Sequence, residues 1–260
     1  MIESLNSDIL KLVKWLNSNK LSLNVSKTHY VIFSPGRKIV TTAPNLTING
    51  AFIKRVSCTT FLGVKLDDKL TFKNHIQHIK MKVAKCIGIM CKSKRLFNKA
   101  TLITLYYSFV YPHLTYCLEV WGRANKTYTS SLLKLQKLCC RIIAGAPKTT
   151  PSEPLFKSLN ILSLSNIYEY SVMSFMYKFY HGRLPSLFDL IFSRKANCTT
   201  IVTRNVHFLK VPLCKTKCSY QSVWYNGPSM WNKLCSLIDC NCSYQLFKSR
   251  IVQYLLCNSS

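Results

Sequence analysis

The chain has 260 residues, of which 48% are hydrophobic and 12% aromatic; this excludes an intrinsically disordered protein and allows a sizeable buried core. The 36 Lys and Arg residues outnumber the nine Asp and Glu residues, which gives a formal net charge of +27. This excess predicts a polyanionic partner, with nucleic acid first and an acidic membrane surface second. The charge is spread along the chain, so the folded body itself carries it; unselected drift in charge is the alternative explanation.

The 13 cysteines raise the question of disulfides. The first residues contain neither the basic nor the apolar segment of a signal peptide, so we expect a protein that is not secreted and has reduced thiols. The longest mainly apolar stretch, Leu102 to Trp121, is interrupted by Pro112, His113 and Glu119. It lacks the roughly 18 uninterrupted apolar residues of a spanning helix. The expectation is a soluble intracellular protein, cytoplasmic or nuclear, without a membrane partner.

The first third of the chain mixes helix and strand signals. Residues 7–18 carry apolar side chains at helical spacing, and Tyr30–Phe33 is a short apolar run that predicts a buried strand. Residues 46–53 surround Asn49-Gly50, a pair typical of a two-residue hairpin turn. Residues 61–66 predict a further strand.

After these strands the pattern is helical. One apolar stripe is formed by Ile76, Ile79, Val83, Ile87 and Met90, and basic residues cover much of the remaining surface of this helix. A second helix is predicted over 99–111, where Pro112 kinks or ends it. A third is predicted over 129–143, with Gly145 as its C-cap.

The second half of the chain has weaker signals. Three prolines make residues 147–154 the best linker. Asn166 and Glu169 fit a variant of the capping box, which opens a helix that stops at Gly182. Residues 194–230 are expected to be irregular, and a last short helix carries apolar residues between 246 and 255.

Four stretches carry motifs in a fixed order. The first contains Trp15, Leu21, Leu23, Asn24, Lys27 and Thr28. The second contains Phe61, Leu62, Gly63, Val64, Asp67, His75 and Ile76. The third contains Leu105, Tyr106, residues 111–117 and residues 120–122. The fourth is looser and contains residues 159–162, residues 183–185, Gly227, Pro228, Trp231, Asn232, Phe247 and Lys248. In this order they resemble the end of the palm, the palm–thumb junction, the thumb and the C-terminal region of reverse transcriptases from non-LTR (LINE-type, jockey-like) retrotransposons.

The resemblance implies a right-hand polymerase that copies RNA into DNA with two divalent metal ions held by carboxylates, Mg²⁺ in the full-length enzyme. It also implies that the catalytic aspartates, the fingers and an endonuclease precede the part covered by this chain. We therefore expect no catalytic aspartate, no metal site and no cofactor here, and no polymerisation by the chain alone.

The adjacent pair Asp67-Asp68 does not match the aromatic-x-Asp-Asp box of the family. Lys65 stands two positions before Asp67, where the family has an aromatic residue. The pair is expected to be a solvated turn or the N-cap region of the helix that carries the stripe from Ile76 to Met90, which we call the lysine-rich helix. Carboxylates suit the positive end of a helix.

The candidate site residues fall into three sets. Lys27 matches the motif lysine near the nucleotide phosphates, and the alternative is an ordinary exposed lysine. Phe61, Leu62 and Gly63 resemble the primer grip, and the alternative is a plain strand; Phe61 and Leu62 are expected in the core with either interpretation. The nucleic-acid-binding set is expected on the surface of the lysine-rich helix, which contacts the template–primer duplex in the family, and the alternative is a merely solvated surface. This set is Lys80, Lys82, Lys85, Lys92, Lys94 and Arg95.

Many relatives carry a zinc knuckle near the C-terminus. Here that region contains Cys214, Cys218, Cys235, Cys240 and Cys242. A knuckle needs four closely spaced ligands, normally including a His, and no His follows His207. We therefore expect no zinc site.

The sequence thus predicts an α+β protein in three parts. These are a palm remnant of a small β-hairpin and strands (1–72), a mainly α-helical thumb (73–146) and a mixed, mostly helical C-terminal domain (147–260). The leading hypothesis is a fragment of an RNA-directed DNA polymerase from a mobile element that binds RNA and RNA/DNA hybrid, with a separate palm and fingers as a further partner. The alternative is a stand-alone basic RNA-binding or interaction protein derived from such an element.

Overall fold

The computed structural model describes residues 2–34, 45–194 and 207–258. The chain forms two compact units, Met1–His75 and Ile76–Ser260. The described part of the first unit contains a long helix, a 3₁₀ turn (Val25–Lys27) and short strands. In chain order these are α1 (Ile2–Ser18), β1 (His29–Tyr30), β2 (Thr47–Ile48), β3 (Ala51–Phe52), β4 (Lys54–Arg55), β5 (Cys58–Phe61) and β6 (Val64–Asp67).

The core of the first unit forms where α1 packs against the hairpin of β2 and β3. Its buried residues are Val13, Leu46, Ile48 and Ile53. The Asn49-Gly50 turn has φ angles of 49° and 81°, as a two-residue hairpin turn requires. Thr47 pairs with Phe52 and Ile48 with Ala51 in antiparallel register. The predicted hairpin is confirmed, and α1 begins five residues earlier than predicted.

Two strand predictions are wrong. The strand predicted over Tyr30–Phe33 ends at Tyr30, because β1 covers His29–Tyr30 and pairs in parallel with β4. The strand predicted over 61–66 is instead the tip of a second hairpin. There β5 and β6 are antiparallel, and Leu62 and Gly63 form the turn with φ angles of 46° and 80°.

The described part of the second unit is almost entirely helical. In chain order it contains α2 (Lys73–Ser93, which begins before the unit boundary), α3 (Lys99–Leu105), α4 (Tyr111–Thr115), α5 (Leu118–Trp121), α6 (Lys126–Ala144), α7 (Ser152–Ser158), α8 (Leu164–Tyr180), α9 (Lys217–Gln221), α10 (Val223–Cys235) and α11 (Tyr244–Cys257). A 3₁₀ segment covers Ser186–Leu190. The predicted α+β class is confirmed.

A π-helical segment, Tyr106–Val110, joins α3 to α4, so the helix continues past the predicted end at 111 and Pro112 lies in the first turn of α4. The buried residues on this stretch are Leu102, Tyr106, Val110 and Leu114. They recur every four residues, a spacing that drifts by about 40° per step around an ideal α-helix. The wider π turn offsets this drift, so these side chains stay in one line along the core.

Gln136 of α6 is completely buried and ties three segments together. Its Nε2 donates to the Tyr106 hydroxyl and to the Leu162 carbonyl, each at 2.9 Å. Its Oε1 accepts the Leu164 backbone N–H at 2.8 Å. The buried amide therefore has its hydrogen bonds made, and it fixes the start of α8 against α6 and the π segment.

The predicted C-cap of α6 is confirmed. Gly145 has a φ of 65°, and the Ala146 N–H donates to the Arg141 carbonyl at 3.0 Å. The predicted linker over 147–154 is shorter than expected, because α7 begins at Ser152 and packs against α6. The residues before and after the predicted boundary at 147 thus lie in the same unit, and the division into three parts stays a prediction.

The predicted capping box at Asn166 is wrong by three residues. Ser163 is the N-cap of α8, and its hydroxyl accepts the Asn166 N–H at 3.3 Å. Residues 194–230 are less irregular than predicted, since α9 and much of α10 lie there; residues 195–206 are outside the described ranges. None of the helices in the described ranges is both long enough and apolar enough to cross a membrane.

Candidate nucleic-acid interface

The start of α2 is fixed by Asp67. This aspartate is buried, and its two carboxylate oxygens accept the backbone N–H groups of Thr71 at 2.9 Å and Phe72 at 2.7 Å, just before the helix begins. Asp68 accepts the Ser34 N–H at 2.8 Å through its backbone carbonyl. The prediction of a helix-start role describes Asp67 well, whereas the prediction of a solvated turn does not, because its carboxylate is engaged with the backbone.

The apolar side of α2 matches the predicted stripe. All of its members are buried: Ile76, Ile79, Val83, Ile87 and Met90. The Cys139 thiol of α6 lies 3.6 Å from the Met90 sulfur, so this side of the helix packs into the core of the second unit. The opposite side of α2 is left at the surface.

Three lysines form a row on this exposed side. Lys82, Lys85 and Lys92 are exposed and three and seven residues apart, a spacing that places them on one helix face. We call them the basic row. Lys80 is three residues from Val83 and four from Ile76, so it lies beside the buried stripe and is half-buried. The six predicted residues therefore do not form a single surface on the helix.

The last two predicted residues follow the helix. Lys94 and Arg95 are exposed and lie beyond Ser93, in the turn that leads to α3. Asn98 ends this turn, because its side chain accepts the Thr101 N–H at 2.9 Å and caps α3. The turn extends the basic surface of the helix at its C-terminal end.

The charges of the basic row are not neutralised by any carboxylate in the described ranges. No Asp or Glu occurs between Asp68 and Glu119. The three ion pairs in the part of the chain that the structure describes are Lys11–Asp8, Lys137–Glu153 and Arg250–Asp239. None of them involves a lysine of α2, so the row presents uncompensated positive charge to solvent.

His113 of α4 lies close to the basic row. Burial lowers the pKa of this imidazole, and the nearby Lys82 ammonium lowers it further. His113 was not among the predicted site residues, although a histidine on a neighbouring helix extends a cationic surface when it is protonated.

The hairpin tip at Phe61, Leu62 and Gly63 is an exposed apolar surface. Phe61 is 63% exposed and Leu62 is 74% exposed, so the expectation that both lie in the core is wrong. Gly63 is needed for its left-handed backbone in the turn. The predicted primer-grip role stays a prediction.

Lys27 is exposed at the end of the 3₁₀ turn over Val25–Lys27. Its backbone N–H donates to the Asn24 side chain at 3.1 Å, which explains the local fold around the motif. Next to this turn, the His29 Nε2 lies 2.6 Å from the Thr59 hydroxyl of β5. The nucleotide-proximal role of Lys27 stays a prediction.

The cysteines in the described ranges are free thiols. The Cys235 and Cys240 sulfurs lie 3.1 Å apart, and this contact raises the pKa of Cys235 and lowers that of Cys240. Within the described residues, no three His, Cys, Asp or Glu side chains are grouped so that they could hold a metal ion. The expected absence of zinc stays a prediction.

The sequence did not indicate a cavity of about 660 Å³ in the second unit. Three basic residues line it: Arg123 and Lys126, before and at the start of α6, and Lys217 at the start of α9. Some 90 residues separate Lys126 from Lys217, and no periodic or spacing signal relates positions so far apart.

In sequence the chain is similar to RNA-directed DNA polymerases of mobile elements. It is 27% identical over 157 residues to the RNA-directed DNA polymerase from mobile element jockey of Drosophila melanogaster, covering 59% of this chain and 17% of that protein. It is 32% identical over 138 residues to the jockey polymerase of Drosophila funebris, covering 52% of this chain and 14% of that protein. The resemblance is confirmed.

The similarity extends beyond jockey. The chain is 24% identical over 155 residues to the probable RNA-directed DNA polymerase from transposon X-element of Drosophila melanogaster, covering 58% of this chain and 17% of that protein. This chain therefore spans about a sixth of the length of these relatives. No family model matches the chain, and no solved structure matches it.

Proposed function

We propose that this chain is part of an RNA-directed DNA polymerase of a mobile element and that it binds the template–primer, as RNA or RNA/DNA hybrid, through the basic row of α2. The observation that carries the proposal is the row of Lys82, Lys85 and Lys92, which is exposed opposite a fully buried apolar stripe and has no carboxylate partner among the residues that the structure describes. The similarity to mobile-element polymerases supplies the class of ligand.

The row suits contact with phosphates and not with bases. Lysine ammonium groups contact phosphate oxygens as point charges, and such contacts carry no sequence information. Three of them along one helix face can follow a nucleic-acid backbone. Lys94 and Arg95 extend the surface at the end of α2. We therefore propose binding that depends strongly on salt and weakly on sequence.

We also propose that the chain alone does not polymerise. Two-metal phosphoryl transfer needs carboxylates that are free to coordinate ions. Asp67 is buried, and both of its carboxylate oxygens accept hydrogen bonds from backbone N–H groups. The described residues hold no carboxylate cluster that fits Mg²⁺.

The first prediction tests the basic row. Replacing Lys82, Lys85 and Lys92 together by Gln removes three charges and leaves the buried stripe intact. Each lost phosphate contact should lower the slope of log affinity against log salt by about 0.7 to 0.9. We expect the slope for an RNA–DNA hybrid to fall by about two to three units and binding to weaken equally for unrelated sequences. Fluorescence anisotropy between about 50 and 200 mM salt measures this.

A matched control makes the result specific. Lys134, Lys148 and Lys157 are also exposed, lie in the same unit outside α2 and can be replaced together by Gln with the same change in net charge. We expect this variant to keep most of the wild-type slope. Equal slopes for the two triple variants, or no loss in the α2 variant, would contradict the proposal.

A further inference from the structure

We propose that the cavity lined by α6, α8 and α9 binds one nucleotide of a single-stranded nucleic acid, with its phosphate near Arg123, Lys126 and Lys217 and its base against Tyr220. The inference rests on the proposed function in taking nucleic acid as the partner, but it concerns a second site and a different form of the ligand. None of the residues predicted to bind nucleic acid lines this cavity.

The cavity has the size and the lining of a small-ligand site. Its volume is about 660 Å³, within the usual range of such pockets. Its wall includes the buried Leu164 and Tyr168 of α8 and the buried Asn226 of α10. Asn226 is held by donating to the Tyr220 carbonyl at 2.6 Å and to the Ser222 carbonyl at 3.0 Å. The cavity therefore has a rigid floor, and basic residues line its opening.

The charge at the rim favours an anion. Arg123, Lys126 and Lys217 are exposed and line the opening. Among the described residues of the lining, Glu169 is the one that is acidic. Burial raises the pKa of its carboxyl, against the opposing effect of Arg123 and Lys233. The lining thus carries three positive groups against one carboxyl, which suits a phosphate.

Tyr168 supplies a polar group that a ligand could use. Its side chain is buried, and its hydroxyl has no acceptor among the described residues, although the Arg123 guanidinium lies close to it. Burial raises the pKa of this hydroxyl to about 12, so it is a donor at neutral pH. The Arg123 guanidinium lies 5.7 Å from the centroid of the Tyr168 ring. A buried donor without an acceptor is costly, and an oxygen of a bound nucleotide would satisfy it.

Gly122 explains how Tyr168 reaches this position. A Cβ at Gly122 would collide with the Tyr168 ring and would lie 2.6 Å from the Leu118 carbonyl oxygen. The glycine thus allows the aromatic ring to lie directly against the backbone that precedes α6.

An aromatic ring at the rim favours a single strand over a duplex. Tyr220 is 48% exposed and meets the Tyr225 ring edge to face, with the centroids 4.8 Å apart. An exposed ring can stack with an unpaired base. In a duplex the bases are already stacked on each other, so only a single strand can place one in the cavity. An acidic peptide would use the cations but would gain little from Tyr220.

The experiment compares two probes with two variants. The probes are a fluorescein-labelled oligouridylate and an RNA–DNA hybrid, and the variants are Tyr220→Leu and the double variant Arg123→Gln with Lys126→Gln. We expect Tyr220→Leu to weaken single-strand binding by about 5- to 100-fold at an unchanged salt slope. The double variant should lose about 1.4 units of single-strand salt slope. Both should leave binding of the hybrid within about twofold of wild type, because the hybrid uses the basic row.

The outcomes separate this inference from the proposed function. Loss of single-strand binding in Tyr220→Leu, with hybrid binding kept, supports the cavity site. Unchanged single-strand binding in Tyr220→Leu overturns it. Equal displacement of the oligouridylate from wild type and Tyr220→Leu by an oligoglutamate peptide also overturns it, because Tyr220 would then add nothing to nucleic-acid binding. The proposed function fails on a different measurement, the hybrid slope of the Lys82, Lys85 and Lys92 variant. Circular dichroism of each variant confirms that the helices are retained.

Discussion

We expect His113 to make binding at the basic row sensitive to pH. In the free protein, burial and Lys82 hold its pKa below the ordinary value of 6.5, so the imidazole is neutral at neutral pH. A phosphate bound at the row would favour the protonated form, so binding should take up a proton as pH falls. We predict that affinity for the hybrid rises between about pH 7.5 and 5.5 and that His113→Gln loses this part of the rise. Anisotropy at constant ionic strength measures it.

His207→Gln is the matched control for this prediction, because His207 is exposed and lies in the same unit outside α2 and α4. Its variant should keep the part of the pH dependence that belongs to His113. If His113→Gln and wild type follow the same pH profile, His113 does not take part in binding.

Two hairpin turns show how far single residue types predict the backbone. Asn49 and Gly50 predicted their hairpin correctly, because both residue types accept positive φ. The tip at Leu62-Gly63 has the same backbone, but leucine rarely adopts positive φ, so the sequence favoured a continuous strand and a buried Phe61. The local turn is set there by the pairing of β5 with β6, which no single residue type reveals.

The continuous helix from α3 to α4 depends on its π segment. Deleting Ser108, an exposed residue within it, would favour an ordinary α-helical turn and rotate Leu102 and Tyr106 by about 100° relative to Val110 and Leu114. We predict a loss of several kcal/mol of stability, since at least two large side chains would leave the core. Urea unfolding followed by circular dichroism measures this loss.

Ser108→Ala is the control for the deletion, because it removes the same side chain and keeps the register. It should change the free energy of unfolding by less than about 0.5 kcal/mol, as exposed substitutions usually do. A deletion variant as stable as Ser108→Ala would show that the four-residue spacing does not depend on the π turn.

Helix patterns predicted elements better than they predicted surfaces. The stripe from Ile76 to Met90 was evident because a 3.6-residue period is visible in one sequence. The same period would have separated Lys80 from the basic row. α10 was missed because the region around it is rich in Cys, Ser and Thr, and α10 itself contains Gly227 and Pro228. Gly227 is explained by tertiary packing, because it faces Met176 and a Cβ there would lie 2.6 Å from the sulfur.

The two compact units should unfold separately to a measurable degree. Ile48 is buried in the core of the first unit, and Ile48→Ala should cost about 2 to 5 kcal/mol there. We predict that hydrogen exchange in moderate urea becomes faster in peptides from residues 2–34 and 45–75. Peptides from residues 76–194 should keep their wild-type protection. Exchange measured by mass spectrometry resolves the two sets.

Ile251→Ala is the reciprocal variant, because Ile251 is completely buried in the second unit. It should accelerate exchange in the second set and spare the first. Equal acceleration of both sets by either variant would indicate one cooperative unit instead of two.

At the scale of the whole molecule, the sequence predicted the fold class and the basic helix but not the cavity. The cavity joins residues near 123, 168 and 220, which meet only after α6, α8 and α9 have packed. Such a meeting depends on tertiary packing, and neither composition nor periodicity encodes it in a readable form. The motif resemblance anticipated the class of relatives because motif order survives at low identity.

Gln136 has a consequence for the substitutions that this chain can tolerate. Glutamate at that position would bury a charge. Leucine would remove the hydrogen bonds that Gln136 makes with the Tyr106 hydroxyl, the Leu162 carbonyl and the Leu164 N–H. Asparagine is one methylene too short to reach all three. In any copy that drifts in sequence, a replaced glutamine here would therefore mark a chain with a destabilised core, whatever the state of its lysines.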